Sequence, residues 1–298
     1  MPIWVHDVNG LDLLNREVPV LTVVGTGLVG ASVGLGLRAA GFLGHVIGVG
    51  RRDSTVRRAL KLNCIDEATT DLAAAASRSR LLLLATPLSR FAQLFEQIGA
   101  HAGEDLVITD AGSTKQQVCA DARRILDRPG RFVGAHPMAG SEQQGPEAAR
   151  ADLFRGGTCV VTPEADTDTQ AIALVESLWR SLGMVLLRMT PQEHDRQTAV
   201  ISHLPHVVAA LLVGVANEQG GWPIASTGFR DTTRLASSNP PMRADIMLAN
   251  REALVEALDV FAAHLQRMKG RLADADGAAL LDWLTELKKA RDRWLDEH

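Results

Sequence analysis

The residues able to do chemistry fall in a few short segments. Gly25-Thr26-Gly27-Leu28-Val29-Gly30 has GxGxxG spacing directly after the apolar run VLTVV and opens a stretch of small and apolar residues from Ala31 onward. In such a loop the first glycine permits a tight turn and the second lets the backbone approach a pyrophosphate. The third lets helix and strand pack closely, so Gly25, Gly27, Leu28, Val29 and Gly30 are expected against a dinucleotide. The free N–H groups and positive end of the next helix would face the phosphates. His136 closes the run RFVGA and heads His136-Pro137-Met138-Ala139-Gly140-Ser141. A histidine there can take an alcohol proton as hydride leaves. Ser113, within TDAGSTK, is expected to hydrogen-bond and orient it, although Asp110 and Ser113 also suit a plain helix cap. Thr86-Pro87 ends a further apolar run and is expected beside the cofactor.

Farther along, Asp195 precedes Ser202-His203-Leu204-Pro205-His206, and positions 195, 202 and 206 share one face of a regular helix. Gly228-Phe229-Arg230-Asp231-Thr232-Thr233-Arg234 follows. A serine, a histidine and an arginine gathered at a cleft suit an anionic substrate, with Arg234 holding a carboxylate bidentately. His203 and His206 read equally well as buried structural histidines. Their spacing could serve a metal, but no third histidine or carboxylate triad completes a site, so no metal is expected.

The second nucleotide-side run, HVIGVG, ends in Gly50-Arg51-Arg52. A carboxylate at that tip normally accepts from the adenosine 2′-hydroxyl of NAD. Here none stands there, and Arg51 and Arg52 offer guanidiniums to a 2′-phosphate, so NADP is expected, with NAD weaker. Both arginines also fit as solvated loop charges.

The elements that must carry these segments show two textures. Between residues 20 and 189, seven short runs rich in Val, Ile and Leu alternate with helical stretches: 20–25, 45–50, 81–87, 106–112, 131–137, 158–163 and 184–189. Continuous apolar runs are what strands buried on both faces require, which predicts an α/β domain with a Rossmann-type, doubly wound parallel sheet. From residue 190 to 298 the pattern is helical only, over 192–219, 243–272 and 278–295, with a Gly/Pro/Ser-rich loop at 220–241. Residues 1–19 stand apart as an N-terminal extension.

Composition removes several classes. With 31 Lys+Arg against 35 Asp+Glu, nothing draws the chain toward nucleic acid or an anionic membrane. Cys64, Cys119 and Cys159 are widely spaced, against both a zinc site and a disulfide framework and in favour of a reducing compartment. The N-terminus lacks a signal-peptide pattern, and the longest apolar run, 207–216, is half of a membrane span, so a cytoplasmic protein is expected. The apolar helical half predicts a homodimer. There is no tyrosine.

GxGxxG, ATP, TDAGSTK, HPMAGS, EHDRQTAVISHLPH and GFRDTTR, in that order from about residue 20 to the end, resemble the prephenate/arogenate dehydrogenases of tyrosine biosynthesis. The GVGRR tip and GFRDTTR loop are most similar to the NADP-dependent arogenate dehydrogenases of cyanobacterial type. The resemblance implies a Rossmann domain joined to a helical dimerisation domain, and oxidation of a ring 4-hydroxyl with loss of the ring carboxylate. His136 then corresponds to the catalytic histidine and Ser113 to the serine that bonds the same hydroxyl. Arg234 corresponds to the carboxylate-binding arginine, Asp195 to a carboxylate that positions it, and His206 to a substrate-contacting histidine. Ser141 and Ser202 fall among the pocket residues. Arogenate is the expected substrate, with prephenate, or both, as the alternative. Remoter rivals are a β-hydroxyacid dehydrogenase, which would place a catalytic lysine on the helical domain, and a non-catalytic NADP sensor. As a base with an ordinary pKa, His136 predicts activity that rises with pH near ~6.5.

Overall fold

The computed structural model describes residues 3–5, 10–140 and 143–297. Among them, nine strands form one sheet: β1 Ile3–Val5, β2 Val20–Val24, β3 His45–Val49, β4 Glu67–Thr69, β5 Leu81–Leu84, β6 Val107–Asp110, β7 Phe132–Pro137, β8 Thr158–Thr162 and β9 Val185–Arg188. Their spatial order is β1-β9-β8-β7-β6-β5-β2-β3-β4. The six strands from β4 to β7 run parallel. The chain order reverses beside β2, between its neighbours β3 and β5, which is the crevice where doubly wound sheets bind ligands. β8 turns antiparallel to β7, β9 runs parallel to β8, and β1 closes the edge antiparallel to β9.

Helices α1 Gly10–Glu17, α2 Leu28–Ala40, α3 Asp53–Lys61, α4 Leu72–Arg78, α5 Phe91–Gly99, α6 Gln116–Ile125 and α7 Thr169–Ser181 accompany the sheet. The run LLLL of β5 is fully buried because both its faces are covered. Leu81 and Leu83 enter one apolar cluster with Leu14, Leu37 and Trp179, and Leu82 and Leu84 enter another with Leu72, Phe95 and Val118. The parallel α/β expectation holds. Two edge strands of three residues each, β1 and β4, are too short for the sequence pattern to announce them. Of the described residues ahead of β2, β1 pairs with β9 and α1 packs on α7, where a Cβ at Gly10 would lie 2.7 Å from the Ser177 carbonyl oxygen.

The chain divides into two compact units, Met1–Asn250 and Arg251–His298, whereas the change of texture in the sequence lies at 189/190. The first unit continues through α8 Pro191–Thr198, a π-helical turn at Ala199–His203, α9 Leu204–Gln219, α10 Thr227–Thr233 and α11 Pro240–Ala249. Thr190 and Glu193 form a reciprocal cap on α8, with Pro191 in its first turn. The predicted 220–241 loop contains α10, a helix too short for periodicity to reveal among its glycines and prolines; the Thr232 and Thr233 hydroxyls fold back onto the Gly228 and Phe229 carbonyls. The predicted helix 243–272 is broken at Asn250, the C-cap of α11, whose side-chain amide donates to the Asp195 carbonyl at 2.7 Å. The second unit is the helix pair α12 Arg251–Ala273 and α13 Gly277–Glu297.

The helix from Pro191 to Gln219 is long and apolar enough to cross a membrane by length and composition, which the ten-residue run had not suggested. Its N-terminal half is pinned inside the first unit by polar bonds from Asp195, His194 and His203, while Leu211, Leu212 and Val215 lie exposed on its second half.

The helix α2 is seated by small residues. A Cβ at Gly34 would fall 1.7 Å from the Cys64 carbonyl oxygen, a backbone atom that cannot step aside. Gly34→Ala is therefore expected to destabilise by about 1–3 kcal/mol or more and to lower Tm, whereas Gly27→Ala, with nothing within 4 Å of the added carbon, leaves Tm unchanged. Equal melting temperatures for the two variants in a calorimetric scan would contradict this packing.

Candidate active site

The C-terminal ends of β2, β5, β6 and β7 open onto one cleft of about 1430 Å³, closed on its other side by the π turn, α10 and α11. The glycine loop forms its floor. Gly25 takes φ +98°, and a Cβ there would meet the Ala85 carbonyl oxygen at 2.4 Å. At Gly30 it would meet the Gly25 carbonyl oxygen at 2.0 Å, so the loop and α2 close up only around glycine. Beside Gly27 the space is empty, which is the approach a pyrophosphate needs at the start of α2. Leu28, Val29, Thr86 and Pro87 line the same floor. The residues present fit a bound dinucleotide. Arg51 and Arg52 lie exposed past β3, and the first carboxylate after them, Asp53, is occupied by Arg57 at 2.5 Å.

His136 is the penultimate residue of strand β7, opposite Val160 of β8, and lines the cleft with Ser113. Its orientation comes from a different residue than Ser113. His136 Nδ1 lies 2.8 Å from His194 Nε2, and His194 Nδ1 lies 2.7 Å from Asp195 Oδ1. This order settles the protons. The ionised Asp195 is an acceptor only, so neutral His194 carries its hydrogen on Nδ1 and presents a bare Nε2. His136 must then donate from Nδ1, which leaves the lone pair on its Nε2. Ser113 lines the cleft and makes no hydrogen bond to His136 among the described residues.

Asp195 is a structural anchor with no bond to Arg234 among the described residues, which corrects the expectation that it positions that arginine. Its Oδ1 accepts from Lys115 N at 2.7 Å and its Oδ2 from Gln116 N at 2.8 Å, capping the start of α6. Beneath this, Asp110 and Lys115 form an ion pair with no exposure on either side chain. Asp110 also accepts from Ala135 N at 3.0 Å and Gly112 N at 2.8 Å, tying β6 to β7 one residue before His136. Burial pushes the Asp110 carboxyl up, and Lys115 with the two N–H groups draws it back.

Positions 195, 202 and 206 do not share one environment. The intervening π turn, closed by Leu204 N onto the Ala199 carbonyl, takes more residues per turn than an α-helix and slips the phase. Ser202 is delivered to the cleft, His203 turns inward to Asn250 at 3.1 Å, and His206 faces the Leu235 carbonyl at 3.1 Å. His206 therefore fastens the turn that follows Arg234 instead of lining the cleft. Arg234 itself is exposed and lines the cleft at the start of that turn. Ser141 lies outside the described residues.

Sequence reasoning missed His194, Asn250 and the Asp110–Lys115 pair. All are polar residues made functional by partners 5 to 58 positions away, and His194 had no signal beyond its neighbour Asp195.

The chain matches the nucleotide-binding domain of prephenate dehydrogenase over residues 33–188 and the prephenate dehydrogenase dimerization domain over 190–286. It belongs to the prephenate dehydrogenase family. A prephenate dehydrogenase of Bacillus subtilis is 34% identical over 286 residues, covering 94% of this chain and 77% of that protein. Among solved structures, the A. aeolicus prephenate dehydrogenase in complex with hydroxyphenyl propionate and NAD+ superposes with a TM-score of 0.86 at 32% identity, covering 92% of this chain and 97% of that one. The Synechocystis arogenate dehydrogenase follows at 0.81 and 31%, covering 92% and 99%. As a member of this family the protein is an oxidoreductase with a nucleotide-binding and a dimerisation domain.

Four histidines crowd this part of the dehydrogenase. Burial, then the neighbouring His194, Lys115 and His203, holds His136 well below 6.5. Burial likewise lowers His194 and His206, and takes His203 to about 4. The activity limb expected near 6.5 therefore moves to lower pH. The same shifts set a stability profile. Each group is neutral when folded and binds protons more readily when unfolded, so its contribution is complete above about pH 6.5 and is lost as pH falls toward 4. Tm is expected to be level from pH 8 to 7 and to fall by at least about 4 °C between pH 7 and 5. A Tm that holds or rises over that interval would show that the imidazoles are not held neutral.

Proposed function

We propose that the protein oxidises arogenate to tyrosine with release of carbon dioxide, using NADP. The observation that carries this is the imidazole chain Asp195–His194–His136, which leaves a bare Nε2 on a cleft shared by the glycine loop, Ser113 and Arg234. The glycine loop with Arg51 and Arg52 would hold NADP+, which would supply the acceptor for the hydride at C4 of the ring. His136 Nε2 accepts the 4-hydroxyl proton, with Ser113 hydrogen-bonded to the same oxygen. As the ring carbon–carboxylate bond breaks, its electron pair enters the ring. The ring becomes aromatic, and the phenolic oxygen takes back the proton held on His136 Nε2. The step runs downhill, so the chain's work is alignment and proton removal. Arg234 and Ser202 hold the anionic end of the substrate.

Arogenate is proposed over prephenate on the GVGRR tip and the GFRDTTR loop. The prephenate dehydrogenase names among relatives keep prephenate as the second substrate to test. NADP is favoured because Arg51 and Arg52 make no ion pair among the described residues and no carboxylate stands at the β3 tip. Two chains are proposed to pair through the exposed apolar face of α9, consistent with the match to a dimerization domain. A reducing, cytoplasmic setting suits the three unpaired buried cysteines.

Steady-state kinetics with both substrates and both cofactors tests the reading. Arogenate with NADP is expected to give the highest kcat/KM, and Arg51→Ala with Arg52→Ala to raise KM for NADP far more than for NAD. His136→Asn is expected to lose roughly 10²-fold or more in kcat with little change in KM. Retained turnover in that variant would make the histidine structural. Light scattering is expected to report a dimer at micromolar concentration, and a monomer there would remove the proposed pairing.

A further inference from the structure

Two cations lining the cleft, Arg234 and Arg243, have no side-chain partner among the described residues, and Arg243 is the one withdrawn from water. Arg243 lies on α11, half-buried, with its side chain on the cleft wall. Its Nε is buried and unbonded, and no ion pair reaches its guanidinium among the described residues. Burial alone acts on it, drawing its pKa down without any carboxylate to raise it. The neighbouring arginine Arg230, by contrast, pairs with Asp231 at 3.3 Å. A guanidinium withdrawn from water and left unpaired is costly, and it is also a rigid two-pronged receptor for a carboxylate.

The helix beneath it is held firmly. Asn239 caps α11 by accepting from Met242 N at 3.0 Å, and Asp245 accepts from Ser89 N at 3.1 Å, fastening α11 to the segment after β5. Arg243 is thereby fixed on the same cleft as Arg234. Both guanidiniums lie close enough to His206 to act on it, so the two cations stand at the same end of the cleft. A substrate of the proposed class carries two carboxylates on the ring carbon opposite the reacting hydroxyl, one on the ring and one ending the side chain. One exposed arginine leaves the second anion unanswered.

We propose that Arg243 is a specificity-determining residue that binds the side-chain carboxylate of the substrate. This rests on the proposed function of the same cleft. The assignment between the two arginines follows from the chemistry. The ring carboxylate loses its charge as carbon dioxide forms, and a strong ion pair to it would stabilise the ground state more than the transition state. The side-chain carboxylate keeps its charge from substrate to product, so the more desolvated cation, Arg243, serves it without raising the barrier. The more exposed Arg234 faces the carboxylate that leaves.

The test compares wild type with Arg243→Gln, using turnover of arogenate and prephenate and calorimetric binding of two phenols in the presence of cofactor. The probes are 3-(4-hydroxyphenyl)propionate, which keeps the side-chain carboxylate, and 2-(4-hydroxyphenyl)ethanol, which has none. Arg243→Gln is expected to raise substrate KM and weaken the propionate by roughly 10–100-fold, the loss of a charge-assisted pair. kcat should stay within a few-fold, the ethanol should bind both proteins alike, and Arg243→Lys should recover part of the loss. Unchanged KM and propionate binding would overturn the proposal, as would equal weakening of both phenols, which marks a structural role. So would a variant whose sole change is a weaker dimer, since Arg243 would then answer a carboxylate of the partner. Wild type that turns over neither substrate would instead remove the proposed function itself.

Discussion

The Asp195 carboxylate is the interaction on which the site depends. Both its oxygens accept backbone N–H groups from the first turn of α6, and one also accepts from His194. A single side chain thus caps a helix of the α/β layer, fastens α8 against it and fixes a tautomer two residues away in space. Remove the carboxylate, and α6 loses its cap while His194 loses the reason to keep its hydrogen on Nδ1. The direction of the lone pair on His136 would no longer be set.

A second constraint works from below. Asp110 and Lys115 are buried without exposure, and neither can be kept there alone, because an unpaired charge in that layer is strongly destabilising. The pair also reaches Ala135 N, so the strand end carrying His136 is located by the same carboxylate that neutralises the lysine. The positive Lys115 in turn helps keep His136 unprotonated. Structure and acid–base behaviour therefore share their causes: burial and two fixed charges place the imidazole and also hold it neutral.

The helical half contributes geometry that a regular helix could not. With the π turn between them, Asp195 can face α6 while Ser202 faces the cleft and His206 secures the turn after Arg234. The insertion costs helical regularity and gains three different partners for residues that an unbroken helix would stack on one side. Asn250 closes the arrangement, bonding the Asp195 carbonyl and His203 together.

Much of this was legible in the sequence, and the division has a physical basis. The glycine loop, the strand runs buried on both faces and His136 at a strand end are local signals, since each depends on neighbours within a few residues. β1 and β4 were not legible, because three residues are too few for a strand pattern to stand out from a loop. Nor was α10, hidden among glycines and prolines. The roles of His194, Asp195, His206 and Arg243 were decided by tertiary structure alone. Each is a polar side chain whose meaning is its partner, or the lack of one, and those partners are brought close by packing rather than by spacing. Residue types and periodicity determined which chemistry the chain could hold. Only the folded cleft, with its phase slip at the π turn and its unpaired guanidinium, decided which residue turns toward which atom.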